Sequence, residues 1–265
     1  MRNWLFYWIR KLGGTQTLDK FYFYFNRIRF SKRNRKFKRE NPLIKLPPEY
    51  SAYESYRLDF ENYFNDGKET AEWIVNELKD YLSLEGASIL DWGCGPARVV
   101  RHLPRLLPSA KIYGADYNKS TIAWCKENIR DVEFAVNGLK PSLPFDNDFF
   151  EMAYALSVFT HLSRENHDNW LNELYRVLKK EGIFLLTTQG DSSLNKLIKK
   201  ERKKFLQGSL VERSYAREGH RSFAAFQPES FMRSLFSSHW RILKFTQGKM
   251  QDWGPEQDTW IVQKI

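Results

Sequence analysis

Two carboxylates and two glycines carry the sharpest chemistry in this sequence. The stretch ILDWGCGPARVVRHL (residues 89–103) sets Asp91 two residues before Gly93, with Gly95 two further on. The apolar run ASILDW reads as a buried strand. The glycines leave room for a ligand to approach the backbone. A helix is expected to start near Pro96, where a missing amide donor costs nothing. A second acid, Asp116, closes the next predicted strand, KIYGAD. A dinucleotide fingerprint would need glycine where Arg98 stands, and no G-x-x-x-x-G-K-[ST] is present. A carboxylate at 91 would repel a pyrophosphate but hold a cation. One at 116 is placed to accept both hydroxyls of a ribose. The pair asks for a ribose and a cationic group, with no phosphate.

The elements that must position this pair can be read along the chain. A helical stretch runs from Tyr50 to about Leu84. Strands at 87–92, 111–116, 132–136, 149–156 and 182–189 then alternate with helices, the helix at 166–180 preceding the fifth strand. Residues 190–227 break the alternation. A helix, PESFMRSLFSS, and strands at 240–247 and 259–265 close the chain. This order predicts an α/β fold, a three-layer sandwich around a mostly parallel seven-stranded sheet. Ligands of such sheets sit beyond the carboxyl ends of the strands, where Asp91 and Asp116 lie.

The charge is uneven. The chain carries 42 Lys/Arg and 32 Asp/Glu in 265 residues, but residues 1–39 hold twelve of the basic residues against one acid, Asp19. Residues 40–265 are close to neutral, which argues against a globally basic nucleic-acid-binding domain. The first 48 residues therefore read as a basic, aromatic arm, and 49–265 as one domain with 190–227 a substrate-side insertion or lid. Aromatic side chains beside Lys and Arg suit an anionic membrane surface, engaged through residues 1–40. They could also grip nucleic-acid phosphates, or form a solvated arm. No run approaches the ~20 apolar residues of a membrane span. Cys94 and Cys125 fit neither a disulfide framework nor zinc-ligand spacing. A cytoplasmic location, with peripheral membrane association through the arm, is expected.

S-adenosylmethionine offers a ribose, a sulfonium and an amino group without phosphate. Here the sequence resembles the class I S-adenosylmethionine-dependent methyltransferases, a Rossmann-like family. ILDWGCGPAR resembles their glycine-rich first motif and YGADYN their acidic second motif. FAVNGLKPSLPFDNDFFEMAYALSVFTHLS and LYRVLKKEGIFLLTT resemble the blocks that follow. The resemblance covers about 68–189, with Ala97 where the family usually has a third glycine. It implies that Asp91, Gly93, Cys94 and Gly95 surround the methionine moiety, with Arg98 a candidate for its carboxylate. It implies Asp116 on the ribose, Tyr117 and Asn118 flanking the adenine, and Asn137 and Gly138 at the adenine edge. Leu156 and Ser157 would line the site near the reactive methyl.

Methyl transfer needs a base only when the acceptor is a hydroxyl or a protonated amine. No Asn-Pro-Pro-Tyr, Asp-Pro-Pro-Tyr or Pro-Cys signature is present. His161, after the fourth strand, and His220, in the insertion, are the candidate bases, though His161 could simply order its loop. His102, His167 and His239 read as structural. His161, Glu165, His167 and Asp168 are better explained as a helix start than as metal ligands, so no metal is expected. Aromatic residues of the cap and insertion (Tyr50, Tyr53, Tyr56, Phe60, Tyr63 and Phe64, then Tyr215, Phe223, Phe226 and Trp253) could stack on an acceptor or pack the core. The basic run Lys196–Lys204 reads as a solvated helix face. A loose similarity to bacterial methyltransferases encoded among glycan-modifying enzymes favours O-methylation of a small-molecule or glycan-type acceptor. The alternatives are an RNA methyltransferase using the arm, and a non-catalytic S-adenosylmethionine-binding regulator.

Overall fold

The computed structural model describes residues 15–213 and 218–265. Tyr215 and the first 14 residues of the basic arm lie outside the described residues. The chain divides into two compact units, one spanning Gln16–Gly138 and the other built on Leu139–Ile265.

The first unit opens with helices α1 (Thr15–Arg29), α2 (Ser31–Glu40), α3 (Glu49–Tyr56) and α4 (Phe60–Leu78). The expected single helical stretch from Tyr50 is broken, because Arg57 and Leu58 take left-handed φ values of 52° and 62°. Asp59 then restarts the chain as the N-cap of α4, accepting from the Asn62 amide at 3.2 Å. Residues 60, 63, 67, 71, 74 and 78 form the buried face of α4, the period of a helix laid on a core. The basic segment 31–40 packs onto this cap. Phe37 is buried in a cluster with Ala52, Tyr53, Leu58 and Phe60. Asn34 Nδ2 donates to the Leu58 carbonyl at 2.9 Å. Tyr53, Phe60 and Tyr63 are thus core residues and have no exposed ring faces to offer an acceptor.

Three parallel strands follow in the order β3-β2-β1: β1 (Ser88–Trp92), β2 (Lys111–Asp116) and β3 (Glu133–Val136). Between β1 and β2 the expected helix from Pro96 does not form. Ala97 has φ 61°, a turn occupies its neighbourhood, a 3-10 turn covers Val100–His102, and only α5 (Leu103–Leu106) is α-helical. Pro104 explains the break, since it has no N–H to donate to the carbonyl four residues back. Helix α6 (Lys119–Asn128) packs on β2 and β3.

The second unit holds β4 (Phe150–Ala155), α7 (Arg164–Val177) and β5 (Leu178–Thr188). The helix expected to reach residue 180 ends at Val177, because Leu178 already pairs with Phe150. A 3-10 turn (Asp191–Lys196), α8 (Lys199–Leu206) and the hairpin β6 (Val211–Arg213) with β7 (Ala224–Phe226) form the insertion. Helix α9 (Glu229–Phe236), β8 (Trp240–Thr246), a short hairpin of β9 (Met250–Gln251) and β10 (Gly254–Pro255), and β11 (Asp258–Lys264) complete it. β4 and β5 are parallel, and β11 runs antiparallel to both β5 and β8. Three strands here and four there make the seven expected, mostly parallel in their pairings. Among the described residues no helix is long and apolar enough to cross a membrane.

Candidate functional site

In the first unit the glycine-rich loop is folded back onto β2. The amides of Gly93 and Cys94 both donate to the Ala115 carbonyl, at 2.8 and 3.1 Å. Gly93 and Gly95 have φ of 80° and 50°, values that glycine adopts without a Cβ penalty. Asp91 and Asp116 are both buried at the ends of their strands. The Asp116 carboxylate accepts from the Gly95 amide at 3.1 Å and from the Asn118 amide at 2.8 Å. These bonds fix its rotamer and leave acceptor capacity on the carboxylate for an incoming hydroxyl. Burial pushes its pKa up, against the pull of those amides and that of Tyr117.

Asn137 continues the same rim. Its amide donates to the Asp116 carbonyl at 3.1 Å, and its Nδ2 to the Gly138 carbonyl at 2.8 Å. Its Oδ1 is buried with no hydrogen-bond partner among the described residues. Such an orphan acceptor costs free energy unless a ligand supplies a donor. Asn118 is committed elsewhere, because its Oδ1 caps α6 by accepting from the amides of Ser120 and Thr121. Tyr117 beside it is exposed. Arg98 stacks over the Tyr56 ring at 5.3 Å and reaches Thr70 Oγ1 at 3.5 Å.

Two residues with no signal in the motifs hold this loop from α4. The Tyr63 hydroxyl donates to the Pro96 carbonyl. Gly67 allows the Arg98 carbonyl to lie where a Cβ would be. Cys125, on α6, sends its thiol to the Gly95 carbonyl at 3.6 Å. Burial pushes that thiol up to about 12 and the Cys94 thiol well above its usual value, so both are inert structural groups. The residues present fit a nucleoside with a polar adenine edge: a backbone-oriented ribose carboxylate, an unsatisfied amide oxygen, and a loop free of side-chain bulk at Gly95.

In the second unit Leu156 and Ser157 follow β4. Ser157 takes φ 64°, a strained value for a residue with a Cβ. It is held there by its amide to Thr187 Oγ1 at 2.8 Å and its hydroxyl to Gln257 Oε1 at 3.0 Å. Ser157 opens a cavity of about 440 Å³ whose lining includes His161, Gln189, Lys196, Arg213 and Gln257. Phe223 and Phe226 line the same cavity, while Trp253 is exposed.

His161 Nδ1 lies 2.7 Å from the Phe223 carbonyl. A carbonyl only accepts, so Nδ1 carries the proton and Nε2 holds the lone pair of the neutral ring. Burial lowers the His161 pKa below that of an ordinary histidine. His161 also orders its loop, since its carbonyl accepts from the Gly219 amide. His220 has the opposite tautomer, its Nδ1 accepting from the Ser222 amide at 3.1 Å, and it does not line the cavity. His167 is fully buried between the Ser163 carbonyl and Gln227. His161, Glu165, His167 and Asp168 make no ligand cluster. Among the described residues no group of three or more His, Cys, Asp or Glu could hold a metal ion.

Lys196 departs from its expected place on a solvated helix face. The basic run is split: residues 199–204 sit on α8, while Lys196 ends the preceding 3-10 turn, half-buried in the cavity wall. Sequence reasoning missed Gln189, Lys196, Arg213 and Gln257. The only signal was the position of Gln189, Lys196 and Arg213 in or beside the insertion; Gln257, just before the last strand, gave none.

Residues 89–182 match the family model described as a methyltransferase domain. Among curated proteins, malonyl-[acyl-carrier protein] O-methyltransferase of Bacillus cereus is 25% identical over 170 residues, 61% of this chain and 62% of that protein. The fatty-acid O-methyltransferase of Mycolicibacterium smegmatis is 34% identical over 106 residues, 39% of this chain and 38% of that protein. The chain thus spans less than two thirds of the length of each. Magnesium protoporphyrin IX methyltransferase of Synechocystis PCC 6803, solved with bound S-adenosylhomocysteine, shares the fold. The TM-score is 0.56 at 15% identity, over 91% of this chain and 97% of that one.

Proposed function

We propose, for a chain that carries an S-adenosylmethionine-dependent methyltransferase domain, that it O-methylates a small-molecule or glycan-type hydroxyl held in the cavity beside Ser157, with His161 as the base. One observation carries this: the Phe223 carbonyl fixes the His161 proton on Nδ1 and leaves Nε2 basic in a cavity wall. The two named relatives, which act on malonyl-[acyl-carrier protein] and on a fatty acid, are both O-methyltransferases, and they support oxygen as the acceptor atom.

When bound, S-adenosylmethionine supplies an electrophilic methyl on a sulfonium whose sulfur leaves neutral with the bonding pair. Asp116 would hold the ribose, Asn137 the adenine edge, and the loop at Gly93–Gly95 the methionine moiety beside Asp91. His161 Nε2 takes the hydroxyl proton as the acceptor oxygen forms its bond to the methyl carbon. Ser157 and Gln257 orient the acceptor. The strained Ser157 backbone fixes where that wall stands.

The test uses the full chain, methyl-labelled cofactor and the small-molecule fraction of a cell extract. An alkali-stable labelled product is expected, falling about 10²–10⁴-fold in His161→Ala with S-adenosylhomocysteine affinity unchanged. An undiminished rate in that variant removes His161 as the base. An alkali-labile product marks a carboxyl ester and overturns the hydroxyl acceptor.

We infer also that α1 docks on an anionic bilayer. Phe21, Tyr24, Phe25 and Ile28 recur at i, i+3, i+4 and i+7 of the helix and are 50–77% exposed. Lys20, Arg27 and Arg29 flank them, and α2 adds further positive charge. An exposed apolar stripe with cationic shoulders matches the chemistry of an anionic interface. Co-sedimentation with phosphatidylserine-containing vesicles is expected, with loss in Phe21→Ser/Phe25→Ser/Ile28→Ser and with neutral phosphatidylcholine. Unchanged sedimentation of the variant, or tighter binding to RNA than to vesicles, overturns this.

A further inference from the structure

Three residues of the cavity wall carry positive charge, Lys196, Arg213 and Arg221, and among the described residues no acid lines it. Two of them differ sharply in how that charge is met. The Arg213 guanidinium is closed by Glu201, Nε to Oε1 at 2.9 Å and Nη2 to Oε2 at 2.5 Å, and its Nη2 also donates to the Lys196 carbonyl at 2.8 Å. Glu201 is itself fixed, its Oε2 accepting from the Ile198 amide at 3.0 Å. This ion pair is complete and buttresses the turn that carries Lys196.

Lys196 has no such partner. Its Nζ donates to Gln189 Oε1 at 3.0 Å, a neutral acceptor, and it makes no ion pair among the described residues. Burial and the neighbouring Arg213 both lower its pKa. A half-buried ammonium facing a neutral amide beside a guanidinium is unfavourable on its own, and an anion in the cavity would relieve it. Gln257 points the same way. Its Oε1 is taken by Ser157 and Thr187, at 3.0 and 2.6 Å, which leaves its amide N–H groups for a ligand.

We propose that the acceptor is an acid, and that Lys196 binds its carboxylate while the oxygen to be methylated faces His161. This deepens the reading above and rests on it for the methylation step, but the binding of the carboxylate does not. The chemistry favours a carboxylate over a phosphate. The Lys196 ammonium among neutral amide donors suits a carboxylate, and the Arg213 guanidinium fork best matched to a phosphate is filled by Glu201, while Arg221 adds positive charge to the same wall.

The binding test uses the full chain saturated with S-adenosylhomocysteine and ligand-observed NMR. The probes are benzoate, its neutral isostere benzamide, and phenyl phosphate. Benzoate is expected to bind at least about 10-fold more tightly than benzamide, a difference of about 1.4 kcal/mol. Lys196→Met should erase the preference and Lys196→Arg should keep most of it, with S-adenosylhomocysteine affinity unchanged in both. Equal affinity for benzoate and benzamide in the parent chain, a preference that survives Lys196→Met, or tighter binding of phenyl phosphate each overturns the proposal. The methyl-labelling experiment separates the two claims. Alkali-stable label in acidic products supports both, and label confined to neutral, alkali-stable products overturns the acid acceptor alone. Carboxylate selectivity with no labelled product leaves a binding site whose proposed activity has failed.

Discussion

A Cβ placed on Gly67 would stand 2.1 Å from the carbonyl oxygen of Arg98. Glycine inside a helix sacrifices about 0.5–1 kcal/mol relative to alanine, and here that loss permits the backbone after the glycine-rich loop to touch α4. Gly67→Ala must therefore displace backbone rather than a flexible side chain. Its expected cost is about 1–3 kcal/mol, typical of overpacking, read as a lower urea midpoint. S-adenosylhomocysteine affinity should fall with it, because the displaced strand of chain carries Gly95. A variant with the parent's midpoint and affinity would show that α4 does not set the loop.

Asp116 offers a pH signature for the same crevice. Its folded pKa is raised, chiefly by burial, and only the ionised form can accept two ribose hydroxyls. Affinity for S-adenosylhomocysteine should therefore be full at neutral pH. It should decline with one-proton slope as pH falls, beginning above the range of an ordinary aspartate. Asp116→Asn should lose affinity about 100-fold and flatten the profile. Calorimetric titration across pH checks both.

The acid and glycine pattern of residues 91–116 was legible because it is local: two strand ends, a turn, and residue types with few other uses. The alternation of strands and helices was legible for the same reason. Helix limits were not, since Arg57, Leu58 and Ala97 adopt left-handed φ against their own preference. What holds them is packing that no short window reveals. The cavity was also hidden. Lys196 belongs by sequence to a basic run, and only the turn at Asp191–Lys196 separates it from the exposed lysines of α8. Gly67 and Tyr63 support the loop from 26 or more residues away, beyond any motif.

Asn137 should separate binding from stability. Its unpartnered Oδ1 is a liability without ligand, while its Nδ2 bond to Gly138 is a gain of similar size. Asn137→Ala is expected to hold stability within about 1 kcal/mol of the parent, yet lower S-adenosylhomocysteine affinity about 10-fold, one hydrogen bond's worth. Loss of stability without loss of affinity would make Asn137 a structural residue.

His161 works as a base only while neutral, and burial lowers its pKa. The rate should be level through neutral pH and fall in acid, with its midpoint below the ordinary histidine value of about 6.5. In His161→Ala the residual rate should lose that acid limb. A limb that persists would belong to another group.

His167 governs a different pH effect, on folding. It is fully buried, its Nδ1 bonded to the Ser163 carbonyl and its Nε2 facing Gln227, and its pKa is pushed down to about 4, mainly by burial. The unfolded chain takes up a proton near pH 6.5, and the folded chain resists it until about 4. Above pH 6.5 both states are neutral there and the residue contributes no pH dependence. Between those limits the unfolded state binds more protons, so stability falls as pH falls, by about 3 kcal/mol in all. Urea midpoints measured from pH 7 to 4 should show that decline. His167→Gln, which retains polar atoms but cannot titrate, should lower stability at pH 7 and flatten the slope. An unchanged slope in the variant would assign the acid sensitivity to other groups, with His102, also lowered to about 4 by burial, the first to examine.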